Sequence, residues 1–158
     1  MLSTNAISNE NITLECNLSL KSYIADYTSN IRNHKQLPNL QEKLLIQLNL
    51  TPHRMHYKAA VESNLLNRKL SNKYNPESGW WETIIVDENR IHLSFEPTDK
   101  GYDETHDAFA IKVSRLSGKV NHFAYHETKD HIDRHRYKTV KYSLNNDDSF
   151  CKAINKAF

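Results

Sequence analysis

The second half of the chain alternates apolar and polar side chains with a period of two, and no other feature of the sequence constrains the fold as strongly. In residues 90–96 (RIHLSFE) every second residue is apolar. The same alternation runs through residues 108–113 (AFAIKV) and 136–144 (RYKTVKYSL). Successive side chains of an extended strand point to opposite faces of a sheet. Each segment therefore predicts a half-buried β-strand.

Turn residues separate these segments at short intervals. They form the stretches NPESG (75–79), DEN (87–89), PTDKGYDETHD (97–107) and RLSGK (115–119). The last stretch fits a three-residue hairpin loop in which Gly118 supplies the left-handed residue. Residues 80–144 therefore predict an antiparallel meander of about five strands.

The hairpin around Gly118 also predicts a surface. Placing the apolar side chains of both strands on one face sets Ile111 opposite Phe123 and Phe109 opposite Tyr125. The other face then carries three cross-strand pairs, which are Lys112 with His122, Ala110 with Ala124, and Ala108 with His126. A neighbouring strand would add His92, Ser94 and Glu96. We expect a shelf of small side chains rimmed by imidazoles, a lysine and a carboxylate.

The first half of the chain spaces its apolar residues mostly three or four positions apart, which is typical of helices. The first predicted helix has Leu18, Leu20, Tyr23, Ile24, Tyr27 and Ile31 on its apolar side. The second has Leu40, Leu44, Leu45 and Leu48. A third would begin at Thr51 and Pro52, an N-cap followed by a first helical position. It would bury Met55, Ala59, Leu65, Leu66 and Leu70.

Together these patterns predict an α+β fold in a single domain of residues 1–158. N-terminal helices (about 17–74) would pack on the meander (about 80–144). A short C-terminal helix (about 147–157) would begin at Asp147 or Asp148 as its N-cap.

Cys16 and Cys151 lie at opposite ends of the chain and could pair only if the ends of the chain meet. Cysteine is sparse compared with small secreted scaffolds. We therefore interpret both residues as free thiols in a reducing, cytoplasmic compartment. Export through a non-cleaved N-terminal signal is the alternative. No apolar run approaches the roughly 20 residues of a membrane span, so no membrane partner is expected.

The sequence predicts no metal site and no cofactor. Residues 126–131 (HETKDH) have one residue too many between the histidines for a zincin motif. His131 and His135 could share a zinc ion only if residues 127–136 were helical. A Gly-rich phosphate loop is absent from a chain with 3 glycines.

Acid–base chemistry on RNA is one function that the histidines suggest. His122, His126 and Glu127 could transfer protons, because metal-independent cleavage needs a general base and a general acid. Cations must hold the phosphate, and the candidates are Lys112, Arg134 and Arg136. The resulting hypothesis is a metal-independent ribonuclease of toxin type.

Binding of single-stranded nucleic acid is a second alternative, and it concerns residues 129–141. Basic residues, among them Arg134, Arg136 and Lys138, lie in or near this range together with Tyr125, Tyr137 and Tyr142. Cations combined with aromatic rings are typical of single-strand binders. Asp130 and Asp133 interrupt the basic run.

A protein partner is the leading hypothesis. The loop between the second and third predicted strands is acidic, and its carboxylates are Asp99, Asp103, Glu104 and Asp107. Such charges steer association, and Tyr102 in the same loop could act as an anchor. The chain lacks a strong catalytic motif. We therefore expect a small non-enzymatic protein that inhibits or modulates a macromolecular partner, in the manner of an inhibitor, immunity or anti-defence protein.

Overall fold

β-Strands form nearly all of the secondary structure in the computed structural model, which describes residues 10–26, 33–75, 80–97, 107–133 and 136–154. The first five strands are β1 (Glu10–Asp26), β2 (Asn33–Leu50), β3 (Lys58–Glu62), β4 (Asn67–Ser71) and β5 (Lys73–Asn75). The next five are β6 (Trp80–Val86), β7 (Arg90–Pro97), β8 (Ala108–Ser114), β9 (Val120–Asp133) and β10 (Arg136–Leu144). The last is β11 (Phe150–Ala153), and one turn of 3₁₀ helix spans Arg54–His56.

All eleven strands belong to one antiparallel sheet, so the predicted α+β fold is wrong. The strand order is β4-β3-β2-β1-β10-β9-β8-β7-β6-β5, and β11 pairs with β1 outside this path. Nine of the strands, from β4 round to β6, curve into a nearly closed barrel. The described residues contain no α-helix.

The predicted N-terminal helices are strands because a spacing of four residues equals two strand periods. In β1 the buried residues Leu14, Cys16, Leu18 and Leu20 follow a strict period of two. In β2 the buried apolar residues are Leu44, Ile46, Leu48 and Leu50, again at every second position. The spacing from Leu40 to Leu44 to Leu48 fits a helix and a strand equally well. Tertiary pairing between β1 and β2 selects the strand.

The third predicted helix and the C-terminal helix are also wrong. Thr51 and Pro52 lead into the short 3₁₀ turn, and Met55 is 60% exposed instead of facing a core. Beyond the turn, Ala59 and Leu70 are buried as opposite partners in the β3–β4 hairpin. At the C-terminal end, residues 150–153 form β11, which pairs antiparallel with β1.

The five strands predicted between residues 80 and 144 are present as β6 to β10, each paired with the next. The predicted hairpin register is confirmed: Ile111 is opposite Phe123, and Phe109 is opposite Tyr125. Gly118 has a φ of 78°, as a left-handed turn residue should. A β-carbon at this position would also collide with the Cys151 carbonyl oxygen, because the Cys151 N–H donates to the Gly118 carbonyl oxygen (2.7 Å). Glycine is therefore required here for the turn and for the approach of β11.

Side chains complete the sheet at the seam where β4 meets β6. The backbone pairing of β5 with β6 runs from Asn75 opposite Trp80 to Lys73 opposite Glu82, and then stops. Beyond that point, the Asn72 side chain accepts a hydrogen bond from the Ile84 N–H and donates one to the Ile84 carbonyl oxygen. The Glu82 carboxylate accepts the Ser71 N–H (3.0 Å). These bonds replace the missing rungs of the ladder.

β10 and β11 lie one after the other along the same edge of β1. β10 covers Leu20 to Asp26, and β11 covers Leu14 to Asn17. The chain leaves the sheet between them, and the buried Ser149 fills the gap by accepting the Ser19 N–H with its hydroxyl oxygen (2.9 Å). The C-terminal strand therefore closes against the middle of the N-terminal strand.

Cys16 and Cys151 form a disulfide, so their interpretation as free thiols is wrong. They are directly opposite each other in the β1–β11 pair, with a Cα–Cα distance of 3.9 Å. Cys16 is fully buried and Cys151 is 8% exposed. The first and last strands do meet, which sequence spacing alone could not reveal. The expected reducing compartment loses its basis, because free thiols were the reason for it.

In the described part of the chain, no helix is long and apolar enough to cross a membrane.

The disulfide should make a large contribution to stability because it spans 135 residues. Closing so long a loop restricts the unfolded chain strongly. We expect a Cys16→Ala, Cys151→Ala double variant to lose about 2–5 kcal/mol of unfolding free energy, measured by urea denaturation. Reduction of the wild type should have a similar effect, and the reductant should not affect the variant. Two free thiols in the oxidised native protein would contradict this pairing.

Candidate functional site

The outer face of β6 to β10 carries a row of five small side chains, which we call the shelf floor. Register pairing aligns them across the five strands, in the order Thr83, Ser94, Ala110, Ala124 and Ser143. At about 4.8 Å between neighbouring strands, the row is roughly 19 Å long. Ser94 and Ala110 are each 5% exposed. The three strands of the predicted shelf, β7 to β9, are therefore aligned as expected, and the row extends by one further strand on each side, β6 and β10.

The first rim of the shelf consists of His92, Lys112 and His122, which are successive cross-strand partners on β7, β8 and β9. Lys112 and His122 are exposed, and His92 is half-buried. An ammonium group thus lies between two imidazoles. The Lys112 ammonium makes this rim favourable for anions.

Burial lowers the pKa of His92, and the positive charges of Lys112, Arg90 and His122 lower it further. His92 is therefore neutral near pH 7, because its pKa lies below the ordinary value of 6.5. A neutral imidazole can accept or donate a hydrogen bond at its two ring nitrogens.

The second rim combines aromatic rings and charges along the opposite side of the floor. On β6 and β7, Trp81 is opposite Glu96. On β9, β10 and β1, His126 is opposite Lys141, and Lys141 is opposite Tyr23. The Lys141 ammonium lies 6.0 Å from the centre of the Tyr23 ring. Trp81 is 48% exposed, which is unusual for a residue of this size.

The three residues predicted to form a nuclease centre do not converge. His122 and His126 lie on the outer face of β9, separated by about 13 Å along the strand. Glu127 lies on the inner face, where its carboxylate accepts a hydrogen bond from the Tyr125 hydroxyl (3.1 Å) and pairs with the Lys129 ammonium (3.4 Å). The floor and the sheet itself separate this carboxylate from the imidazoles.

The inner face at this end of the barrel holds two tyrosines, of which Tyr125 is buried and Tyr142 is half-buried. The rings of Tyr125 and Tyr142 stack with their centres 5.9 Å apart. Burial raises the pKa of Tyr125, and the carboxylates of Glu127 and Asp107 raise it further. Burial also raises the pKa of Tyr142, although Lys129 acts in the opposite direction. Both hydroxyls therefore stay protonated near neutral pH and act as hydrogen-bonding groups rather than bases.

Several predicted binding residues have internal contacts or lie outside the described part of the chain. The Asp107 carboxylate accepts the Thr128 N–H (2.9 Å), so this residue ties the start of β8 to β9. In β10, Arg136 is exposed and Lys138 is half-buried opposite Lys129. The remaining predicted binding residues lie outside the described residues, namely Asp99, Tyr102, Asp103, Glu104 and Arg134. Their role stays a prediction.

The zinc alternative loses its structural basis on the described residues. Residues 127–133 are part of β9, so the helix that would have aligned His131 with His135 does not form there. No group of three or more histidine, cysteine, aspartate or glutamate residues in the described segments is arranged to hold a metal ion.

Sequence reasoning missed Trp81, Thr83 and Ser143 as parts of the shelf. Strand alternation places Thr83 on the same face as Trp81, and Ser143 on the same face as Lys141. Their alignment with Ala110 depends on the pairing of β6 with β7 and of β9 with β10. Pairing across β6–β7 could have been inferred from the short DEN turn.

The sequence matches no protein-family model and no curated protein. The interpretation of the shelf therefore depends on its geometry and charge.

The low pKa of His92 makes stability depend on pH in a defined direction. As the pH falls below 6.5, the unfolded chain protonates this imidazole before the folded protein does. The free energy of unfolding should therefore decrease as the pH falls through that value, and this loss should end below the folded pKa. A Lys112→Gln variant should raise the pKa of His92 towards 6.5, measured by NMR titration of the ring proton, because a neighbouring positive charge is removed.

The control is Lys152→Gln, which removes an exposed lysine from β11 and should leave the His92 titration unchanged. A His92 ring that titrates at or above 6.5 in the wild type would contradict the described environment.

Proposed function

We propose that the protein is a non-enzymatic binding protein that modulates a macromolecular partner, and that it contacts this partner through the shelf. The observation that carries the proposal is the alignment of five small side chains across five strands, with aromatic and cationic side chains on both rims. A floor of small residues allows another molecule to approach the sheet closely. The rims supply specific contacts around it.

The charges on the rims indicate the kind of surface that would bind. Lys112 and Lys141 contribute positive charge, and Glu96 is the one carboxylate among the described residues of the two rims. Electrostatic complementarity favours a partner that presents acidic groups, and it speeds association. We propose an acidic protein surface as the partner, with Trp81 as the anchor, because partly exposed tryptophan is enriched at binding hot spots.

The disulfide supports a place of action where thiols oxidise. Disulfides persist outside the cell, in the periplasm and in similar compartments, and are rare in the reducing cytosol. Export of the protein, the weaker alternative from the sequence, is therefore the better supported one.

The test uses two matched substitutions on the outer surface. Ala124 lies at the shelf floor, and Ala60 lies on the outer face of β3; both are half-buried strand alanines. Ala124→Glu adds bulk and a negative charge to the floor, so it should weaken partner binding at least about tenfold, because an unpaired charge in an interface is costly. Ala60→Glu should leave the affinity unchanged. The partner is first captured by cross-linking to the wild type, and its affinity for each variant is then measured.

Two results would contradict this function. One is a captured partner that binds Ala124→Glu as tightly as the wild type. The other is RNA cleavage by the purified protein in EDTA that is lost in a folded His92→Gln, His122→Gln variant. Cleavage of that kind would assign the two imidazoles beside Lys112 to acid–base chemistry, as metal-independent ribonucleases require.

A further inference from the structure

A second concave region lies on the outer face of β1 to β4, away from the shelf. It consists of a cavity of about 440 Å³ between β1 and β4 and a neighbouring one of about 560 Å³ beside the 3₁₀ turn. The two share Asn49 and Lys58 as lining residues, so they are adjacent, and we call them together the groove. Each volume falls in the range of roughly 300–1,000 Å³ that is typical of small-molecule sites.

Register pairing defines the floor and walls of the first cavity. Thr13, Gln47, Ala60 and Lys69 are successive cross-strand partners from β1 to β4. The next row along the strands contains Asn11, Asn49 and Lys58. Ala60 leaves open space in the middle, and amide, hydroxyl and ammonium groups surround it. These side chains offer hydrogen-bond donors on every side of the cavity.

The charges in the groove are positive. Lys58 and Lys69 are diagonal neighbours across the β3–β4 pair, so their Cα atoms lie about 7–8 Å apart. Both are exposed, and neither forms an ion pair with the described residues. Glu62 is near Lys69 by register but does not line the cavity. No carboxylate is among the described residues that line either cavity.

Two adjacent ammonium groups that form no ion pair repel each other, and an anion between them removes that repulsion. The spacing suits one phosphate group held by both lysines. The second cavity adds His56 and Tyr57, so a larger ligand could extend from the phosphate towards an aromatic ring. Lys73 also lines this part, although the Glu82 carboxylate already pairs with it at 3.5 Å.

We propose that this groove binds a phosphorylated sugar, with the phosphate between Lys58 and Lys69 and the sugar hydroxyls on Asn11, Gln47 and Asn49. Ammonium groups stabilise the dianionic phosphate. The amide side chains donate and accept hydrogen bonds, as sugar hydroxyls require. The site is separate from the shelf, so it adds a small-molecule ligand to a protein whose proposed partner binds elsewhere.

The test is isothermal titration calorimetry on the full chain, with ionic strength held constant. The probes are glucose 6-phosphate and AMP. Glucose, adenosine and inorganic phosphate are controls, because each contains only one part of a probe. At least one phosphorylated sugar should bind, and inorganic phosphate should bind about tenfold more weakly or less, because it lacks the sugar contacts. Tighter binding of AMP would identify a nucleotide, and tighter binding of glucose 6-phosphate a simple sugar phosphate.

Substitutions then assign the site. Lys58→Gln and Lys69→Gln should each weaken binding about tenfold, because each removes a charge-assisted hydrogen bond. Ala60→Glu should abolish it by filling the floor with a carboxylate. Lys152→Gln, an exposed lysine on β11, should leave the affinity unchanged.

Three results would overturn the proposal. The first is the absence of binding by both phosphorylated sugars at millimolar concentration. The second is binding that Lys58→Gln, Lys69→Gln and Ala60→Glu leave unchanged. The third is equal affinity for inorganic phosphate and for the sugar phosphates, which would show that the groove binds an anion without recognising a sugar. Circular dichroism of each variant verifies that the sheet is intact.

Discussion

The hydrogen bonds of the Asn72 side chain to Ile84 bridge the seam of the nearly closed barrel, and the inner and outer faces of the sheet depend on this closure. The amide of Asn72 offers an acceptor and a donor, as a backbone peptide does, and so it extends the ladder past the end of β5. Across the same seam, the Arg68 guanidinium lies 3.8 Å from the centre of the Phe95 ring. An open seam would leave the edge of β6 unpaired, which invites association with other strands. Closure therefore buries Phe95 and Phe109 inside and leaves the shelf outside.

The sequence was sufficient for the strands in which polar residues separate the apolar ones. His92, Ser94 and Glu96 alternate with apolar residues, and this pattern does not fit a helix. The strand β7 was therefore predictable, and so was the register of the β8–β9 hairpin. In β2, Glu42 interrupts the inward-facing apolar positions, which leaves a step of four from Leu40 to Leu44 that a helix also satisfies. The β1–β11 pairing, and with it the disulfide, depends on contacts between the two ends of the chain. Local propensity does not contain that information.

Of the two candidate sites, one could be predicted from the sequence in outline and the other could not. The shelf could be predicted in outline because Ala110, Ala124 and their neighbours belong to one hairpin. The groove could not be predicted, because a helix over residues 52–74 would have set Lys58 and Lys69, which are 11 residues apart, about three turns or ~16 Å from each other along its axis. Strand pairing places them side by side on an outer face. One sheet thus presents two separate regions with exposed lysines, one flat and one concave, for which we propose different kinds of ligand.

Amide hydrogen exchange of Ile84, followed by NMR in the wild type and in Asn72→Leu, tests the closure of the barrel most directly. We expect the Ile84 amide to be protected in the wild type, because it donates to the Asn72 side chain, and to exchange at least about tenfold faster in the variant, which lacks the acceptor. The substitution Asn67→Leu, at an exposed position at the start of β4, should leave the rate unchanged. An unprotected Ile84 amide in the wild type, or equal protection in Asn72→Leu, would contradict a barrel that is closed by this side chain.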